Sequence, residues 1–236
     1  MNILDMNLFY ALIIGIVFVL LCHKPIKKNP PIFYGIALIL AIATGVVVWL
    51  GLVSHDETPF ILYKLYNVMR KAVVATVLFL MVMYAGVLPS SWGLTKSLKS
   101  VRGELAVFAT ILTWGHNIPY LFAPKYAFLY KTFIGDLSWN KVVALILTIV
   151  MMVILAILAV TSLRPVRRKM SAKSWKALQA PLSYAFYALL YAHLMVLYLP
   201  KYINKGRHLS EVVVYSVIFG VYLILRVSKA LKAHKA

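Results

Sequence analysis

Uncharged apolar runs of about twenty residues recur along this chain, and they constrain its fold more than any other feature. One runs from Leu105 to Pro124, another from Leu178 to Pro200. A stretch of that length crosses a hydrocarbon core as a helix. The alternating pattern of a membrane barrel is absent. The composition agrees: 63% of the 236 residues are hydrophobic and 13% charged, where a soluble domain is near half and a quarter. The fold class expected is an all-α integral membrane protein of about seven transmembrane helices.

Spans are expected at roughly 6–22, 31–53, 68–89, 104–123, 142–162, 180–200 and 211–227. Pro30, Pro31, Pro89, Pro165 and Pro200 fall at or beyond their ends. Pro181 suits a first turn, and Pro119 is expected to kink span four just beyond His116. "DETPFILYKLYNVMRK" reads as an amphipathic surface helix leading into span three. The first helix is preceded by Asp5 and followed by "HKPIKKNPP", the reverse of a secretion signal. With the N-terminus outside and the C-terminus in the cytoplasm, sixteen Lys and Arg lie inside and nine outside. The expected location is therefore the cell membrane. Five of the six acids then face outward. The net charge of +19 belongs to this topology and not to nucleic acid, because the cations sit in short patches between apolar runs. Cys22 stands alone, which excludes an internal disulfide and a Cys-x-x-Cys site.

Four of the six histidines (His23, His55, His208 and His234) fall at span ends, in loops or in the tail, as snorkelling or solvated side chains. His116 and His193 lie inside uncharged runs. An ionisable residue inside a membrane marks function by default. Each follows the inner end of its span (Glu104 and Pro181) by twelve residues, so both sit ~18 Å up parallel helices. Two level imidazoles suit the two axial positions of a haem iron. The competing reading makes each histidine a hydrogen-bonding tie between helices. Trp114, Gly115, Tyr120, Tyr184, Tyr187, Tyr191 and Ala192 surround the pair in sequence, and Gly115 and Ala192 would leave room for a flat ring. Lys125, Lys201, Lys205 and Arg207 lie just outside as partners for haem propionates.

"VRGELAVFATILTWGHNIPYLF" followed by "LRPVRRKMSAKSWKALQAPLSYAFYALLYAHLMVLYL" resembles the ferric reductase-like transmembrane domain. In size the chain looks nearest to the haem b membrane subunit of the periplasmic methionine sulfoxide reductase system. The resemblance covers spans two to seven. It divides the chain into an extra N-terminal helix with its basic loop, residues 1–30, and a six-helix haem-binding bundle, residues 31–236. Such proteins carry histidines thirteen or fourteen residues apart on two helices, which make an outer and an inner haem site. His116 and His193 match the outer positions. At the inner positions stand Arg102 and Gly103 on one helix and Gln179, in "WKALQ", on the other. The resemblance thus implies one outer haem b, its iron held by His116 and His193, and no inner one.

With G-x-G-x-x-G and P-loop patterns absent, the chain brings no nicotinamide or flavin domain, and its electrons come from a partner. A membrane quinol, or a cytoplasmic flavin or flavoprotein near Arg102 and Gln179, is the expected donor. The basic loop from Arg164 to Lys176 is a candidate dock for it. Ferric iron or a partner reductase on the outer face is the expected acceptor. The alternative function is a non-redox membrane protein, a transporter or assembly subunit, with structural histidines. No Asp or Glu lies deep in a span, which disfavours a proton-coupled carrier.

Overall fold

The computed structural model describes residues 6–234, and all regular structure among them is helical. Asp5 and Lys235, both counted in the charge asymmetry, lie outside the described residues. In chain order the long helices are α1 (Met6–Lys28), α2 (Pro30–Leu50), α3 (Phe60–Arg70) and α4 (Val73–Ala85). A short α5 (Gly93–Ser100) leads to α6 (Arg102–Phe122), and α7 (Phe128–Phe133) leads to α8 (Trp139–Ser162). After α9 (Arg164–Lys169) come α10 (Ala172–Lys205) and α11 (Leu209–His234).

Among the described residues five helices are long and apolar enough to span: α1, α2, α8, α10 and α11. The pair α3 and α4, bent by 59°, makes a sixth. The seventh expected crossing, α6, has the length but not the hydropathy, because Trp114, His116, Asn117 and Pro119 dilute it. It needs less, since its neighbours cover it. The amphipathic segment expected before span three is α3, and the bend follows it. Pro181 and Pro200 do not mark ends as expected. Both lie inside α10, which runs from Ala172 to Lys205. Pro119 lies late within α6, where it was expected, and the helix continues to Phe122.

The outward faces are apolar. Leu21 is 72% and Ile39 68% exposed, which in water would be an aggregation hazard and in lipid is a solvated belt. Inside the bundle the hydrophobic effect no longer separates helix from lipid, so close packing and polar ties hold the helices. Every residue of α4 from Val73 to Met83 is buried. Ala37, Ala41 and Gly45 repeat at four-residue spacing along α2; Ala41 faces Gly115 and Gly45 faces Pro119 of α6. A Cβ on Gly115 would stand 2.7 Å from the Ala41 carbonyl oxygen, so only glycine admits this approach. Polar ties include Tyr84 Oη donating to the Ile218 carbonyl at 2.6 Å and Tyr191 Oη against Ser216 Oγ at 2.9 Å. At one end of the bundle Arg164 pairs with Glu104 at 2.8 Å and donates to the Lys27 carbonyl, joining α9, α6 and α1.

The helices alternate in direction, so the bundle has a basic end and a histidine end. The basic end carries the α1–α2 turn, α5, α9 and the last turns of α11. The histidine end carries the α3–α4 bend and the connections α6–α8 and α10–α11. α6 packs on α2, α4 and α8, while α10 packs on α8 and α11. Between α6 and α10 lie two cavities, one toward each end.

Candidate functional site: two cavities between α6 and α10

The cavity toward the histidine end, about 360 Å³, is lined by His116 of α6 and His193 of α10. The bend between α3 and α4 supplies the support for His116. Ala72 sits in the left-handed region (φ +53°) and interrupts the helical ladder. The Arg70 carbonyl is thereby released from helical pairing and accepts from His116 Nδ1 at 2.7 Å. Arg70 itself is fixed by donating to Asn67 Oδ1 at 2.7 Å and Tyr126 Oη at 2.9 Å. Tyr126 stacks on Tyr120 with centroids 4.3 Å apart, and Tyr120 lies 4.5 Å from the His116 ring.

His193 is held from α8. Its Nδ1 lies 3.2 Å from the Ala144 carbonyl and 3.4 Å from Thr148 Oγ1, which donates to that same carbonyl at 2.9 Å. A carbonyl only accepts, so these bonds place the proton of both imidazoles on Nδ1. Nε2 of each ring then carries the lone pair that a metal takes.

Asn117 also lines this cavity. It is 7% exposed. Lys71, Lys141 and Lys201 line the same cavity. So do His208 and Glu211, hydrogen-bonded to each other through Nδ1 and Oε1.

Sequence reasoning placed Lys201 near this site but missed Lys71, Lys141 and Asn117, and set His208 apart as solvated. Lys71 and Lys141 come from the bend and from the first turn of α8, which only the fold brings together. Asn117 stood next to a flagged histidine, and that adjacency was the available signal. Arg207 is exposed and does not line the cavity. Of the small and aromatic residues expected around a ring, Tyr120 lines it. Gly115 instead seats α6 on α2, Trp114 is 41% exposed, and Tyr191 ties α10 to α11.

Toward the basic end the second cavity, about 610 Å³, is lined by Arg102, Gly103 and Gln179 together. Gln179 Nε2 donates to the Leu158 carbonyl at 3.0 Å, Thr161 Oγ1 at 2.7 Å and Ser162 Oγ at 3.2 Å. Phe79, Leu155 and Phe186 line both cavities, with the two phenyl rings 4.8 Å apart.

Residues 71–191 match the ferric reductase like transmembrane component family, a stretch that opens at the α3–α4 bend and takes in all of α6 and α10 as far as Tyr191. The chain belongs to this family. His116 lies within the matched range, and His193 two residues beyond it. A protein of Treponema pallidum (strain Nichols), described as uncharacterized, is 38% identical over 233 residues. That covers 98% of this chain, while the chain spans 62% of the relative. No solved structure matches. Family membership and the apolar helices together make this a multi-span membrane protein, and the family points to a membrane electron-transfer role. Among the described residues no cluster of three or more His, Cys, Asp or Glu occurs. A ferric reductase-like haem site needs only two side chains, because the porphyrin brings four nitrogens of its own.

Proposed function

We propose that this ferric reductase-like protein holds one haem b between His116 and His193 and passes electrons along the bundle. The observation that carries the reading is that both imidazoles line one cavity with Nδ1 tied to a backbone carbonyl. Such a bond fixes the tautomer and the ring and raises the basicity of the ligating nitrogen. Haem would supply one-electron chemistry at the iron. The protein's own part is orientation, charge balance and exclusion of water. The Arg70 and Ala144 carbonyls orient the rings. Lys71, Lys141 and Lys201 would neutralise carboxylates at the porphyrin edge, and Asn117 would meet a polar substituent or water beside it. Phe79, Leu155 and Phe186 close the inner side with apolar surface.

Electrons would enter from a quinol or flavin donor at the basic end and leave to an acceptor at the other, ferric iron or a partner reductase. The excess of Lys and Arg at the basic end favours a cytoplasmic donor side. We take α1 as the added helix and residues 31–236 as the haem-binding unit. The same hydrogen bonds would also serve a non-redox protein as ties between helices, but that role makes no use of the cavity that both rings line.

The test is a visible spectrum of the purified full chain after haem supplementation, oxidised and then reduced with dithionite. One haem per chain is expected, with a Soret band and a sharp α band on reduction. A sample that takes up no haem overturns the proposal.

A further inference from the structure

α4 is too short to cross a membrane alone. Its 13 residues rise ~20 Å, against the ~30 Å of a hydrocarbon core. The spans α1, α2, α8 and α11 have 23, 21, 24 and 26 residues. The length that α4 lacks lies in α3, whose 11 residues are ~16 Å long and meet α4 at 59°. With α4 along the bundle axis, a helix tilted that far rises by about half its length, roughly 8 Å. Together the two helices rise roughly 28 Å, so α3 slants through the hydrocarbon layer at the histidine end.

The side chains of α3 match that place. The helix packs on α1, α2, α4 and α6, and Asn67 and Val68 are buried. Phe60, Ile61, Leu62 and Leu65 are exposed, Ile61 by 78%. Ile61, Leu62 and Leu65 share one face of the helix. In water such a face is an aggregation hazard. Lys64, the one cation among these residues, turns its Nζ back over the Phe60 ring, 5.3 Å from the centroid. It thereby reaches toward the start of α3, where the loop with exposed His55 and Asp56 meets water. A lysine seated in lipid snorkels in that direction. Trp49, Leu50 and Leu52, at the matching end of α2, are exposed as well and continue the apolar belt.

We propose that α3 is embedded in the leaflet at the histidine end, with Ile61, Leu62 and Leu65 against acyl chains and Lys64 reaching the headgroups. A soluble partner would stop at the polar loop above this face. In a twofold pair of copies the two Lys64 side chains would meet one apolar surface, and α3 holds no acid to pair them. The embedded arm ends at Arg70, whose carbonyl accepts from His116 Nδ1, so lipid contact and imidazole support share one helix. The embedding goes beyond the electron-transfer reading and does not depend on bound haem.

In a Cys22→Ala background, Ile61→Cys and Leu65→Cys each carry a nitroxide on the full chain in phosphatidylcholine liposomes. Asp56→Cys in the polar loop and Ile39→Cys midway along α2 are the water and lipid references. Power-saturation electron paramagnetic resonance reads collisions with oxygen, which enters acyl chains, and with a water-soluble nickel chelate supplied on both sides. At positions 61 and 65 the ratio of oxygen to nickel collisions should exceed that at position 56 severalfold and lie between the two references. A ratio equal to that at position 56 overturns the proposal, because the face is then in water. Exclusion of both reagents overturns it too, because a second copy or another protein surface then covers the face. The two positions are read separately, so a variant that does not insert leaves the other to decide. Soret absorption of the same liposomes after haem supplementation judges the haem reading alone.

Discussion

Phe79, Leu155 and Phe186 face two cavities at once, and the side chains gathered on their two sides differ in kind. On one side stand two imidazoles whose Nδ1 atoms are locked by carbonyls from α3 and α8. That arrangement leaves both Nε2 atoms available for coordination, with charge only at the lysine-lined edge. On the other side no coordinating imidazole is present, and cationic and aromatic side chains make up much of the lining. A ladder of two equivalent haems would have repeated the first arrangement. Here a single bundle carries two unlike cavity linings that share three apolar side chains.

The sharpest way to break this contrast is to remove the coordinating nitrogens. His116→Ala and His193→Ala should each abolish haem retention, a loss beyond the roughly 10–100-fold typical of changing an outer partner of a metal ligand. Soret absorbance per protein after supplementation and detergent exchange measures it. Retention of normal haem content in either variant would return that histidine to a purely structural role.

That prediction concerns the part of the site most legible in the sequence. His116 and His193 stood out because an ionisable group within an apolar run is costly and therefore rare. The helical class was equally legible, since hydropathy over some twenty residues decides it without tertiary information. Other features were hidden because their causes are tertiary. Nothing local in "RKAVV" announces that Ala72 adopts φ +53° and frees the Arg70 carbonyl. The ends of α10 were misplaced because neighbouring helices tolerate Pro181 and Pro200 inside it. Gly115 was read as space for a ring, whereas it is space for α2. Small residues serve both purposes, and sequence does not say which neighbour stands opposite.

The dependence of the histidine cavity on its packing can be separated from its chemistry at Gly115. Gly115→Val puts a branched side chain against the Ala41 backbone, where a single Cβ would already be 2.7 Å from the carbonyl oxygen. Overpacking of this kind costs about 1–3 kcal/mol, so a lower midpoint in thermal unfolding is expected, with reduced haem content. Gly220→Ala is the matched control, because nothing lies within 4 Å of its added Cβ. It should unfold at or slightly above the parent's midpoint, since alanine favours helix. Equal destabilisation by both variants would show that α2 does not constrain α6.

The smallest effect compares the two histidine supports with each other. His116 leans on a main-chain carbonyl alone, 2.7 Å away, and no side-chain substitution deletes that oxygen. His193 leans on two oxygens, the Ala144 carbonyl at 3.2 Å and Thr148 Oγ1 at 3.4 Å. Thr148→Val removes the hydroxyl and keeps the carbonyl, which also loses the competing donor that Thr148 supplied. The His193 Nδ1–H bond to Ala144 should therefore persist, and haem affinity should fall by no more than about tenfold, at or below the lower end for an outer partner. Haem dissociation into excess apomyoglobin measures it. A loss as complete as that of His193→Ala would mean that Thr148, and not the main chain, sets the imidazole's orientation. The two halves of the site would then differ in kind as well as in distance: one fixed by the path of the backbone, the other by a replaceable side chain.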